Sequence, residues 1–129
     1  MATWRDIAVD SDRASRTLLG DGRWRSSASR AYYALHSLVT GWLHEQGVRL
    51  HASRGNPSHE DLPKMILRNL AGFGEGHRRR LATAARRLYA QRVAADYVPG
   101  FTVDETEARV SIAELNIAMR IAESRRVGR

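Results

Sequence analysis

Cysteine is absent from all 129 residues, so disulfides and thiolate metal sites are excluded and the redox compartment leaves no trace. Lysine is nearly absent: Lys64 is the only one, and the rest of the 21 Lys and Arg residues are arginine. No apolar run approaches the ~20 residues that a membrane-spanning helix needs, and no apolar signal core follows Met1-Ala2-Thr3-Trp4-Arg5-Asp6. Both absences lead us to expect no membrane partner and a cytoplasmic location. Internal repeats, low-complexity tracts and strand-like alternation are also missing. So are a glycine-rich phosphate loop with its lysine, a histidine pair one turn apart with a glutamate, and a nucleophile elbow. His51 and His59 fall in or beside a polar loop without nearby paired carboxylates, so neither a metal site nor a cofactor is expected.

What is present has the balance of a globular chain: 43% hydrophobic and 27% charged residues. The length suits one core, so residues 1–129 are read as a single domain. The net charge is +7. The planar fork of arginine suits phosphate and carboxylate, which makes an anionic ligand the first expectation; a compositional bias in the coding sequence would give the same excess.

Helical periodicity runs through nearly the whole chain. The first helix is expected from Trp4 to Leu19, opened by Thr3 and Asp6 at capping-box spacing, with Trp4, Ile7, Ala8, Ser11, Ser15 and Leu18 on its buried face. Gly20-Asp21-Gly22 ends it. A second helix spans Trp24 to Gln46, with Trp24, Ala28, Ala31, Leu35, Leu38 and Trp42 as its apolar stripe, and Gly47 stops it. Val48 to Glu60, with Gly55, Asn56 and Pro57, reads as a surface loop. A short helix then starts at Asp61 with Pro63 in its first turn and Met65, Ile66 and Leu70 on its apolar side, before Gly72, Gly74 and Gly76. The fourth helix covers His77 to Tyr97 and ends at Pro99-Gly100. The last opens with a capping box, Thr102 to Glu105, and runs to Arg125. The expected fold is therefore all-α, an up-and-down bundle of four long helices and one short one.

The informative positions are those where polarity breaks the pattern. On the fourth helix Leu81, Ala85 and Leu88 define a buried stripe whose next member is Arg92. A buried guanidinium without a partner costs several kcal/mol, and Asp96, one turn on, is the nearest carboxylate. The pair is either an internal salt bridge or part of a ligand site. Arg79 and Arg86, and likewise Arg80 and Arg87, align one heptad apart, either as a solvated face or as a phosphate patch. On the second helix Ser29, Tyr33, His36 and Thr40 form a polar stripe. Its Tyr33 either reaches a ligand or is satisfied by packing, and His36 is either structural or a proton carrier. The last helix carries two stripes. Ala108, Ile112, Leu115, Met119 and Ala122 suit the core, while Val103, Val110, Ile117 and Ile121 are either sandwiched inside the bundle or form a subunit interface.

Ser29-Arg30-Ala31-Tyr32-Tyr33-Ala34 on the second helix, Ser58-His59 before the short one, and Leu88 through Arg92 to Ala95-Asp96-Tyr97 on the fourth form one ordered pattern. It resembles the HEPN family, in particular its small stand-alone branch with a tyrosine pair and an Arg-x-x-Ala-Asp-Tyr element. The resemblance implies a helical bundle, frequently a homodimer, with polar residues facing a cleft that binds RNA or a nucleotide. Some members are metal-independent ribonucleases, often toxins of toxin-antitoxin pairs, that use an arginine followed, after four to six intervening residues, by a histidine. Others are non-catalytic partners of a minimal nucleotidyltransferase. By this similarity Arg92, Asp96 and Tyr97 are the first ligand-binding candidates, with Tyr33, His59 and Ser29 supporting them. The chain departs from the nuclease pattern, because the histidine window after Arg92 holds Tyr97, Val98 and Pro99. A tyrosine with a pKa near ~10 is a poor base at neutral pH. The spacing recurs from Arg30 to His36 and from Arg54 to His59, neither on the fourth helix. His36 and His59 are thus the catalytic candidates should the chain cleave RNA.

Overall fold

The computed structural model describes residues 2–48, 59, 61–70, 72–100 and 102–127, the last three of these by backbone alone. Most of the loop expected over Val48 to Glu60 lies outside the described residues, and with it His51, Arg54, Gly55, Asn56, Pro57 and Ser58. Five helices and no strands are found among the described residues: α1 (Trp4–Gly20), α2 (Trp24–Glu45), α3 (Leu62–Asn69), α4 (Glu75–Tyr97) and α5 (Glu105–Val127). The fold is the expected all-α up-and-down bundle of four long helices and one short one. None of these helices is long and apolar enough to cross a membrane.

Local chemistry sets the helix ends. The Thr3 hydroxyl accepts from the Asp6 amide at 3.0 Å while the Asp6 carboxylate accepts from the Thr3 amide at 2.9 Å, the expected capping box. The Thr3 amide foremost, and then the Thr3 side chain, hold the Asp6 carboxyl below the usual range. After α1 and α2 the chain turns through Gly22 at φ +74° and Gly47 at φ +72°, a region costly for any residue with a Cβ. The second expected capping box is not formed. Asp104 caps α5 instead, its side chain accepting from the Glu107 amide at 2.9 Å, because a carboxylate one residue before Glu105 is within reach of the third helical amide whereas Thr102 lies outside the turn. At the other junction Gly74 is the N-cap of α4, so Gly76 lies within the helix and does not break it.

The centre of the bundle is α2, which touches all four other helices. Its stripe is buried as expected from Ala28 to Trp42, with Trp24 half-buried at one end. Leu35, Leu43, Leu81, Leu88 and Leu115 fill the interior, and burial of such side chains stabilises by about 1.5–3 kcal/mol each. The first pair of helices crosses closely: a Cβ on Gly41 of α2 would lie 3.1 Å from the Cβ of Trp4 on α1. The same pair is joined by Ser15 and Ser27, each hydroxyl donating to the other's carbonyl at 2.8 Å inside the core. Ile7, expected on the buried face of α1, is instead 40% exposed. The face centred on Ala8, Ser11 and Ser15 is narrow because small residues let α1 sit close to α2, leaving no room to wrap Ile7.

On α5 the core stripe is buried apart from half-buried Met119. The second stripe is mostly sandwiched within the bundle: Val103 and Ile121 are buried and Ile117 packs on the core, which leaves Val110 exposed.

Candidate functional site

Helical spacing brings Ser29, Tyr32, Tyr33 and His36 onto one face of α2, at i, i+3, i+4 and i+7. Across from them α4 presents Tyr89, Arg92 and Asp96, one turn apart from each other. Arg92 is 8% exposed. Its Nη2 donates to the Tyr33 hydroxyl at 2.8 Å and to the Tyr97 hydroxyl at 3.2 Å. Its Nε faces Asp96 Oδ2 at 3.2 Å as an ion pair without hydrogen-bond alignment. That same Oδ2 accepts from the Ser29 hydroxyl at 3.1 Å. The guanidinium carbon stands 5.2 Å from the ring centres of Tyr33 and Tyr97 and 6.0 Å from that of Tyr32.

The electrostatics follow from these contacts. Burial works against the Arg92 charge, and the surrounding Tyr33, Tyr97 and Asp96 outweigh it, so the group is held charged more firmly than a free arginine. Nη1 makes no hydrogen bond to a described residue, so donors remain for a ligand. Tyr97, at 64% exposed, is the outward wall of the site.

Behind Arg92 lies an aromatic group. Tyr32 is fully buried and its hydroxyl is hydrogen-bonded to His59 Nδ1. Burial pushes the Tyr32 phenol above its ordinary value, and the nearby Arg92 charge offsets that only in part. The His59 ring stacks on Tyr89 at 5.4 Å and 16° and lies 5.3 Å from the His36 ring. His36 itself is 6% exposed, enclosed by Tyr32 and His59.

Two different elements therefore supply the site, and a third segment closes it from behind. Its rear wall comes from outside the helices, since His59 precedes α3. The C-terminal turn of α4 is fixed by Arg25 of α2, whose guanidinium donates to the carbonyls of Ala94, Ala95, Val98 and Pro99. A cation there satisfies carbonyls left without helical partners and opposes the negative end of the helix, and so sets where Asp96 and Tyr97 stand.

The residue pattern matches a model of the HEPN domain over residues 1–124. The chain belongs to the HEPN family. No curated protein and no solved structure matches it. In HEPN terms the tyrosine pair and the Arg-x-x-Ala-Asp-Tyr element are the two halves of one cluster, joined through Arg92.

Arg92, Asp96, Tyr97, Tyr33 and Ser29 are brought together directly, and His59 joins them through Tyr32. His36 packs against Tyr32 and His59. Thr40 does not take part: its hydroxyl donates to the His36 carbonyl at 2.7 Å. The heptad arginines are not one uniform face. Arg80 and Arg87 both reach Glu114 of α5 at 2.8 Å, a carboxylate only 6% exposed, and Arg79 pairs with Glu75, so these three are engaged within the bundle surface. Sequence reasoning quoted Tyr32 in the tyrosine pair without giving it a role, and missed Tyr89 as part of the cluster and Arg25 as its support. Tyr89 was legible as the aromatic one turn before Arg92; Arg25 was not, because its contacts are made nearly seventy residues away.

Proposed function

We propose that this HEPN chain binds RNA or a nucleotide through the phosphate, with Arg92 as the anion-holding group. The observation that carries this reading is the manner in which Arg92 is held. Phenol hydroxyls take its aligned hydrogen bonds, while the one carboxylate beside it is shared with Ser29, so the cation is fixed in place without being fully neutralised. Tyr97 and Tyr33 supply stacking or hydroxyl contacts, and Asp96 orients the arginine. The test is fluorescence anisotropy with a labelled single-stranded RNA and with a nucleotide, beside thermal melts. Arg92→Ala weakens binding at least about tenfold, more than its melting-point loss accounts for; unchanged binding with a large melting-point drop would leave only a structural salt bridge.

A second reading, metal-independent RNA cleavage as in a toxin, is favoured by one observation: His59 is bonded to Tyr32, which lies beneath the Arg92 cation. An imidazole thus stands behind Arg92 although the window after Arg92 at the end of α4 holds none. Arg92 would steady the charge on the phosphate, with His59, or His36 beside it, as proton carrier. RNA cleavage and growth arrest on expression in bacteria, both lost in His59→Ala and in Arg92→Ala, support this reading, and harmless expression counts against it.

As partners, a second copy of the chain and a minimal nucleotidyltransferase remain part of the proposal. Val110, 48% exposed on α5 beside a cleft of about 420 Å³ between α4 and α5, is the surface we assign to them. Val110→Asp reduces the assembled mass seen by light scattering, and an unaltered mass removes this face from the proposal.

A further inference from the structure

Resting on the Arg92 reading, we infer that the ligand is a single-stranded oligonucleotide engaging two subsites, the second being the pocket beside the His59–Tyr89 stack. This pocket has a volume of about 290 Å³ and is lined by His59, Pro63, Lys64, Ala85, Arg86 and Tyr89. Its wall includes a stacked pair of flat rings, both half-buried. Its mouth holds two cations, the only lysine of the chain and Arg86, and neither has a carboxylate partner among the described residues. On α4, the helix of Arg86, the other arginines Arg79, Arg80 and Arg87 are by contrast each paired with a glutamate.

The pocket backs onto the aromatic group that lies behind Arg92. Arg86, Tyr89 and Arg92 follow one another at successive turns of α4, so the two arginines are about 9 Å apart along the helix axis. Fully buried Tyr32 stands between Arg92 and the stacked rings of the pocket: its ring lies 6.0 Å from the Arg92 guanidinium, 5.3 Å from His59 and 5.6 Å from Tyr89. Cation, aromatic wall and cation in sequence is the arrangement that tracks a sugar-phosphate backbone while bases stack, whatever their identity. A free mononucleotide offers one 5′-phosphate and cannot occupy both ends. A strand can, with one phosphate at Arg92, a base against Tyr89 or His59, and a further phosphate at Lys64 and Arg86.

Counterion release separates this from a general attraction of a basic protein to RNA. For single strands the logarithm of the binding constant falls against the logarithm of salt concentration with a slope of about 0.7 per phosphate neutralised. The experiment measures anisotropy of a labelled single-stranded RNA of about ten nucleotides, and of labelled adenosine monophosphate, over a range of salt. It compares the full chain with the double variants Lys64→Ala/Arg86→Ala and Arg13→Ala/Arg120→Ala. All four positions are exposed, so the variants keep the fold and remove equal charge.

We expect the pocket variant to bind the RNA about tenfold more weakly with its salt slope reduced by about 1.4, and to bind the mononucleotide as the parent does. The charge-matched control changes RNA binding by less than about twofold. Equal weakening by both double variants would overturn the subsite, as would RNA binding and slope that survive loss of Lys64 and Arg86 while Arg92→Ala abolishes both ligands. That second result leaves the Arg92 reading standing; a parent chain that binds neither RNA nor mononucleotide brings both down.

Discussion

Arg92 and Asp96 stand one turn apart on α4 with Nε and Oδ2 3.2 Å from each other, yet the aligned hydrogen bonds of the guanidinium go to the phenols of Tyr33 and Tyr97. The carboxylate positions the cation and competes with any anion for it. Asp96→Asn keeps an oxygen for Ser29 and removes the competing charge. We expect RNA affinity to rise by about twofold to fivefold, with a stability loss of about 0–1 kcal/mol because Asp96 is partly solvated. Affinity and melting point measured together check this; a tenfold loss of binding would mean that Asp96 contacts the ligand itself.

Tyr32 gives a prediction on pH. Its folded-state pKa is raised by burial, so the folded chain retains this proton where an unfolded tyrosine, ionising near ~10, has released it. The unfolded state then binds fewer protons, and the stability contribution is complete below pH ~10 and lost as pH rises further. Denaturant unfolding between about pH 8 and about pH 11 checks this, with Tyr32→Phe expected to flatten the alkaline decline. An equally steep decline in the variant would contradict it.

Arg25 is expected to act on the site from a distance. Its removal leaves the last carbonyls of α4 without their cation, and Arg25→Ala should cost about 1–2 kcal/mol of stability. Amide hydrogen exchange should rise most around Ala94 to Val98, with RNA binding weakened through displaced Asp96 and Tyr97. Uniform acceleration across the bundle would instead show a global effect with no special hold on this turn.

At the α1–α2 crossing, Gly41→Val should destabilise by about 1–3 kcal/mol, since its Cβ alone would approach Trp4 to 3.1 Å. Gly20→Ala, where nothing lies within 4 Å, serves as the comparison and should be near neutral. Thermal melts of the two variants decide it, and similar melting points would show that α1 can shift aside.

Much of the fold was legible because period and punctuation agree. The apolar stripe of α2 and the glycines at 22 and 47 fixed its extent to within a residue. Arg92 was legible for the opposite reason, as a charge in line with Leu81, Ala85 and Leu88. What the sequence left open was set by tertiary neighbours. Ile7 satisfies the helical spacing and is nevertheless exposed, because close packing through Ala8 and Ser11 narrows the covered face. The second stripe of α5 looked equally suited to a subunit contact until the bundle buried Val103 and Ile121. The role of Glu114 in gathering Arg80 and Arg87 depends on the distance between α4 and α5, which no local pattern encodes.

The most direct test of the central claim is the ¹⁵N–¹H spectrum of the arginine side chains during titration with single-stranded RNA, with the Arg92 Nε–H signal assigned by its loss in Arg92→Lys. That signal is predicted to shift and to saturate at the RNA concentration that saturates anisotropy. An Arg92 resonance that stays in place while other arginines move would contradict the account.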